Sequence, residues 1–236
     1  MPPVVFHDNS RIMRNLSKTE VVHKMKESGM IPVFNHPELE VCKSIVKACY
    51  DGGLRVFEFT NRSSSAYDVF VELIQYVRLE MPDMIMGVGS IIDPETTTKF
   101  ILAGAEFIVS PAMIPEMAEI CNQEEILWAP GCGTVTEIVM AQNNGADIAK
   151  LFPGEQVGGP GFVKSVLGPM PWSLLMPTGG VSPEKENLTN WFNAGVCCVG
   201  MGSKLFPKEW ISNGEYDSIT NLVKNTLMII EDIRTA

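Results

Sequence analysis

No run of about 18 or more apolar residues, the minimum for a membrane-spanning helix, occurs in the 236 residues. The opening segment, MPPVVFHDNSRIMRN, lacks the basic-then-apolar order of a secretory signal. Both absences point to a cytoplasmic protein with no membrane partner. Histidine is scarce: His7, His23 and His36 are the only three, all near the N-terminus and none in an HxxxH-type pair. A histidine-built metal site is therefore not expected. The six cysteines, Cys42, Cys49, Cys121, Cys132, Cys197 and Cys198, contain no CxxC pair and read as reduced thiols packed as small hydrophobes. A basic surplus is also missing. With 18 Lys and Arg against 28 Asp and Glu, the net charge of -10 has the wrong sign for nucleic acid or an anionic membrane, so any anionic ligand must be held locally.

The chain does have apolar content enough to fold, 45% hydrophobic against 19% charged, and a length that α/β barrels reach as one domain. The segment LSKTEVVHKMKESG carries a capping box, Ser17 with Glu20, and places Leu16 and Val21 at hydrophobic-staple positions. A short opening helix is expected there. Short apolar runs then recur: MIPVF, LRVFEF, MIMGVG, EFIVS, ILWAP, DIAKLF, LLMPT and CCVGMG. Helical patterns separate them. In SSAYDVFVELIQYVRLE, Ala66, Phe70, Leu73 and Val77 share a face and Ser65 with Asp68 reads as the cap. The last pattern, YDSITNLVKNTLMIIEDIR, aligns Ile219, Val223, Leu227 and Ile230. An open doubly wound sheet would give the same alternation, but the count of eight strands favours a single (β/α)8 TIM barrel with an additional N-terminal helix. The barrel is expected over residues 17–236, with residues 1–16 as an N-terminal extension; no linker or low-complexity segment divides it.

Strand alternation then assigns faces. In DIAKLFP, Ile148, Lys150 and Phe152 share one face, and Pro153 ends the strand. A lysine at the C-terminal end of a barrel strand projects an amine into the mouth, where barrel active sites lie. Desolvation there favours the neutral amine, the nucleophile for imine formation; the bland alternative is a lysine that snorkels to solvent. In GGLRVFEFTNR, Val56, Glu58 and Thr60 face one way and Phe57 and Phe59 the other. Glu58 is then a candidate proton carrier or, equally, half of a structural ion pair with Arg62 or Lys150. Arg62 has the fork geometry to hold a carboxylate, although loop arginines are commonly just solvated. Other strand ends read GVGS, APGCGT, PTGG and VGMGS. The last two follow strands seven and eight, where barrels bind phosphate on backbone N–H groups and a short helix, which GSKLFP could supply. Glycine turns alone are more often structural.

Taken in order, GGLRVFEFTNR, GVGSIIDP, GAEFIVSP, IAKLFPGE, PTGGVSPEKEN and VGMGS resemble the 2-keto-3-deoxy-6-phosphogluconate (KDPG) and 4-hydroxy-2-oxoglutarate (KHG) aldolases, from about Gly29 to Phe206. The resemblance implies that Lys150 is the Schiff-base lysine and that Phe152 lies beside bound pyruvate. It implies that Glu58 is the general acid/base, acting through water, that Arg62 is the carboxylate ligand, and that Ser90 and Thr178 contact substrate. Gly179, Gly180, Gly200, Gly202 and Ser203 match the phosphate-binding loops. It further implies a homotrimer, no metal and no cofactor, with a small keto acid and pyruvate as the partners. The implied reaction is cleavage of KDPG to pyruvate and glyceraldehyde 3-phosphate. KHG or the galactonate epimer of KDPG would be served by the same lysine, and a retired barrel that binds sugar phosphate without turnover is the alternative of another class. Two departures stand out. The family's usual GAGT is GVGS here, so Ser90 keeps a hydroxyl but loses a methyl. Where many members carry arginine after the first strand, this chain has Asn35 and His36, a change that bears on anion affinity and substrate choice.

Overall fold

The computed structural model describes residues 16–236; apart from Leu16, the expected extension of residues 1–16 lies outside them. Helix α1 (Lys18–Ser28) begins as the sequence dictates. The Ser17 hydroxyl accepts from the Glu20 N–H, and the Glu20 carboxylate accepts from the Ser17 N–H at 2.7 Å. Gly29, at φ 70°, supplies the left-handed residue that ends the helix.

Strand and helix then alternate. They run β1 (Met30–Phe34), α2 (Leu39–Asp51), β2 (Val56–Thr60), α3 (Ala66–Glu80), β3 (Ile85–Gly89), α4 (Pro94–Leu102), β4 (Phe107–Val109) and α5 (Pro115–Gln123). Next come β5 (Leu127–Ala129), β6 (Gly131–Cys132), α6 (Val135–Asn143), β7 (Ile148–Leu151), α7 (Gly159–Leu167), β8 (Leu174–Pro177), α8 (Lys185–Phe192) and β9 (Val199–Met201). Helices α9 (Lys208–Ser212) and α10 (Tyr216–Thr235) follow.

Three local expectations need correction. Nine strands stand among the described residues where eight are expected: ILWAP forms β5 and stops at Pro130, which has no N–H to give the ladder, and a separate β6 follows it, although the Pro130 carbonyl still accepts from the Lys150 N–H at 2.9 Å. Ser65 does not cap α3. Its backbone lies near φ -90°, ψ -1° instead of extended, and its hydroxyl pairs with that of Ser63 at 3.3 Å. The segment GSKLFP is a turn, and the short helix expected there starts only at Lys208, behind Pro207.

The strands are all parallel. One sheet runs in the order β5-β4-β3-β2-β1-β9 and a second in the order β6-β7-β8, and a parallel bridge from Thr178 to Gly200 joins them beyond the end of β8. The sheet curls so that alternate residues fill two distinct cores. Ile31, Val56, Ile85, Phe107, Leu127, Ile148, Met176 and Cys198 meet on the inner side, together with Val21 and Met25 of α1. Their chain neighbours, such as Phe57, Met86, Ile108, Ala149, Leu175 and Val199, pack outward under the helices. Each strand is therefore buried on both faces, which the near-continuous apolar runs require. The stripe on α10 holds: Ile219, Val223 and Ile230 are buried, with Leu227 partly so.

Candidate active site

The inner parity of the strands leads directly to the polar residues. Val56 lies in the inner core, so two residues on, the Glu58 side chain rises toward the C-terminal ends of the strands; Ile148 places Lys150 in the same way on β7. Glu58 is 1% exposed and Lys150 3% exposed. Both oxygens of Glu58 lack a hydrogen-bond partner, as does the buried Thr178 hydroxyl. The structural ion pair considered for Glu58 is not made, and Lys150 does not snorkel.

Burial then sets the protonation of the pair. Loss of water pushes the Glu58 carboxyl above its ordinary range, with the charges of Lys150 and Arg62 opposing. Burial pulls the Lys150 ammonium below its ordinary value; Glu58 opposes this and Arg62 adds to it. Each shift favours the uncharged form, an amine able to attack a carbonyl and an acid able to deliver a proton. The Lys150 Nζ sits 5.0 Å from the Phe152 ring centroid.

Glycines in the neighbouring strands leave room for Glu58 and for the groups packed around the site. Glu58 stands in register with Gly87 of β3, and Thr60 with Gly89. A Cβ on Gly89 would overlap the Glu58 carboxylate and lie 2.6 Å from its Cδ; one on Gly87 would overlap the Phe107 ring. Lys150 stands in register with Gly131 and Met176, and a Cβ on Gly131 would overlap the Pro111 carbonyl. These three glycines were not singled out from sequence, although glycine at alternating strand positions, as in GVG, is the available signal.

A cavity of about 520 Å³ is lined by Arg62, Phe152, Thr178, Gly179, Gly180, Gly200, Gly202 and Ser203, together with Glu155, Glu184 and Lys204, while the buried Glu58 and Lys150 are not on its surface. Most of the residues expected from the sequence thus meet on one wall. Ser90 serves differently: held at φ 62°, it accepts the Arg62 Nε–H at 2.9 Å. Gly179 and Gly180, at φ 96° and 78°, make the turn after β8. A Cβ on Gly180 would lie 2.7 Å from a Glu155 oxygen, and one on Gly200 would overlap the Thr178 hydroxyl. Gly200 therefore makes space for Thr178 as well as facing the cavity. The Glu155 carboxylate beside the turn was missed in the sequence.

A family model for KDPG and KHG aldolase matches residues 21–222. The chain belongs to this family. It is accordingly a carbon–carbon lyase of the aldolase type that works through a Schiff base. A KHG/KDPG aldolase of Escherichia coli K12 is 31% identical over 211 residues, 89% of this chain and 96% of its own. A 2-dehydro-3-deoxy-phosphogluconate aldolase of Dickeya dadantii is 32% identical over the same shares. Among solved structures, the KDPG aldolase of Legionella pneumophila superposes with a TM-score of 0.79 at 31% identity, covering 87% of this chain and 97% of that one. In that crystal, pyruvate is captured at low pH as a covalent carbinolamine. Membership in the aldolase family fits the chemistry open to a buried lysine that burial holds toward its neutral form and a buried acid on the same inner wall.

Proposed function

We propose that the chain catalyses the reversible cleavage of KDPG to pyruvate and glyceraldehyde 3-phosphate, with Lys150 forming the imine. In this reading β1 to β9 close into one (β/α)8 barrel over residues 17–236, with β5 and β6 as a single strand broken at Pro130 and α1 plugging the bottom. The observation that carries the proposal is the Lys150–Glu58 pair, buried on the same inner wall and left without a hydrogen-bond partner for either Glu58 oxygen. Unsatisfied buried polar atoms cost roughly 1–3 kcal/mol each, and a substrate that completes them accounts for their retention. By family membership the protein is further proposed to be a cytoplasmic homotrimer.

The uncharged Lys150 amine attacks C2 of the keto acid to give a carbinolamine. Protonated Glu58 gives its proton to the departing hydroxyl, so water leaves, an iminium ion forms on Lys150, and Glu58 becomes a carboxylate beside the new cation. That cation is what stabilises the carboxylate in a site that otherwise disfavours it. Glu58 then takes the C4 hydroxyl proton, directly or through one water, and the C3–C4 bonding electrons flow into the iminium. Glyceraldehyde 3-phosphate leaves and the pyruvate enamine remains. Glu58 returns the proton to C3, and water hydrolyses the iminium to free pyruvate and Lys150. Arg62, steadied by Ser90, holds the C1 carboxylate; Phe152 packs against the pyruvate methyl side, and the unpartnered Thr178 hydroxyl meets the bound acid. Gly179, Gly180, Gly200, Gly202 and Ser203 form the wall along which the phosphate-bearing tail lies.

KHG is an alternative substrate, since relatives carry both the KHG and the KDPG names, and the galactonate epimer of KDPG is another that the same lysine would serve. Borohydride reduction in the presence of pyruvate tests the proposal. A secondary amine on Lys150, absent from Lys150→Ala, is expected. Labelling of another lysine defeats the assignment, and no labelling with no turnover leaves the sugar-phosphate-binding barrel.

A further inference from the structure

Cys197 and Cys198 take no part in the mechanism above. They lie immediately before β9, at the N-terminal ends of the strands and so at the opposite end from the Lys150–Glu58 pair. Consecutive residues of a regular strand point to opposite faces. Here the chain bends at Cys197, and both side chains turn toward the inner core, Cys198 buried and Cys197 partly exposed. Their Sγ atoms are 3.8 Å apart.

The surroundings distinguish the two sulfurs. A hydrogen bond from the Cys198 thiol, helped by the charge of Lys26, holds the Cys197 thiol below its ordinary value against the effect of burial. Cys198 is held well above that value, by the same hydrogen bond first and by burial second. The other four, Cys42, Cys49, Cys121 and Cys132, are buried, and burial pushes each of them up. Among the six cysteines, thiolate character and access therefore coincide at Cys197 alone, and a second sulfur stands beside it. Closing the two into a disulfide brings the sulfurs to about 2.0 Å. Adjacent Cα atoms lie about 3.8 Å apart, inside the roughly 4.4–6.8 Å that a relaxed disulfide spans, so the ring strains the backbone that carries it.

We propose that Cys197 and Cys198 are a reversible oxidation site for hydroperoxides, at which a vicinal disulfide forms and loosens the start of β9. The Cys197 thiolate attacks one peroxide oxygen and the O–O bond breaks. Cys197 becomes a sulfenic acid, and the other oxygen leaves with the proton that Cys197 released, as water or an alcohol. The Cys198 sulfur then displaces the sulfenic hydroxyl, which departs with the Cys198 proton as water. Two thiols are oxidised by two electrons and one peroxide is reduced. The bonds that hold this stretch are the Cys197 N–H to the Leu175 carbonyl at 3.0 Å, the Val199 N–H to the Gly29 carbonyl at 2.9 Å and the Arg234 guanidinium to the Cys197 carbonyl at 2.7 Å. Turning the backbone to close the ring stretches them, and a bridge strained in this way is readily reduced again.

The test treats the folded protein with a small excess of hydrogen peroxide, alkylates it after denaturation and digests it with trypsin. Cleavage after Lys185 and Lys204 isolates residues 186–204, which hold both thiols and no other cysteine. That peptide should lack alkyl groups and be lighter by two hydrogen atoms, while Cys42, Cys49, Cys121 and Cys132 are alkylated as in the untreated protein. Dithiothreitol should restore both alkylation sites. The Tm of the oxidised protein should fall and recover with the same reductant. In Cys197→Ser, which removes the attacking sulfur, Cys198 should stay reduced at that dose and Tm should no longer respond. A sulfinic acid at Cys197 beside a free Cys198, a disulfide between two copies of the chain, or faster oxidation of any of the four buried cysteines would overturn the proposal. So would a closed bridge that leaves Tm unchanged, or oxidation of Cys198 in Cys197→Ser at the parent's rate. None of these readouts uses aldolase turnover, so the outcome is independent of the mechanism above.

Discussion

Replacing Gly89 by alanine adds one methyl group at the point where the mechanism has least room. Gly89 lies at the C-terminal end of β3 without a positive φ, so alanine meets no backbone strain there. Its Cβ would overlap a Glu58 oxygen and lie 2.6 Å from Cδ and 3.0 Å from Cγ. The methyl and the carboxyl cannot share that volume, and the surrounding strands are fully buried. Overpacking of this kind costs about 1–3 kcal/mol, which lowers Tm by roughly 2–12 °C for a chain of this length. The larger effect falls on catalysis. Displacing the proton carrier should lower kcat by about 10² to 10⁴, equivalent to roughly 3–5 kcal/mol on the barrier. Lys150 does not border Gly89, so pyruvate should still be trapped by borohydride, more slowly because proton delivery to the carbinolamine is impaired. The assays are thermal unfolding, steady-state KDPG cleavage and mass spectrometry of the reduced adduct. A Gly89→Ala protein that loses several degrees of Tm yet keeps kcat within about threefold of the parent would show that Glu58 does not carry the proton.

Glu58→Gln should cost about 10² to 10⁴ in turnover and change how stability depends on pH. Burial raises the Glu58 pKa in the folded protein above the ordinary 4.5. The stability linked to its proton is therefore full below that value and is lost as pH rises through the folded pKa; unfolding curves of Glu58→Gln should lack that loss, and parallel pH profiles for the two proteins would contradict the burial argument. Turnover should persist in EDTA, because the three histidines offer no cluster to hold a divalent ion; inactivation by the chelator with recovery on adding zinc would place the reaction in the metal-dependent class.

Much of the fold was legible because a parallel barrel strand obeys one simple rule, a period of two with both faces buried. Ile148, Lys150 and Val56, Glu58 were assigned to the inner wall by that rule, and the structure separates the inner and outer cores on the same parity. The departures arise where local chemistry outweighs periodicity. Pro130 interrupts a run that reads as one strand, and Pro207 delays a helix that composition alone would begin earlier. Ser65 has the residue type of a cap but not the extended backbone a cap needs.

The site was legible in its residue types and not in its spacing. Alternation tells which wall a side chain joins, but whether Glu58 finds an ion-pair partner depends on what the neighbouring strands present at the same height. Register answers that: β3 offers Gly87 and Gly89, β6 offers Gly131, and no hydrogen-bonding side chain reaches the Glu58 oxygens. An acid and an amine isolated in this way cannot stabilise the fold as a salt bridge would, because each is held toward its uncharged form. The same isolation prepares them for the reaction. In the proposed mechanism the first charge the site accommodates is the iminium ion on Lys150, and its counter-ion appears in the same step, when Glu58 gives up its proton. Gly89, whose missing side chain leaves the volume that the Glu58 carboxyl occupies, belongs to that proposed arrangement, and sequence reasoning that looks only for side chains with chemistry passes over it.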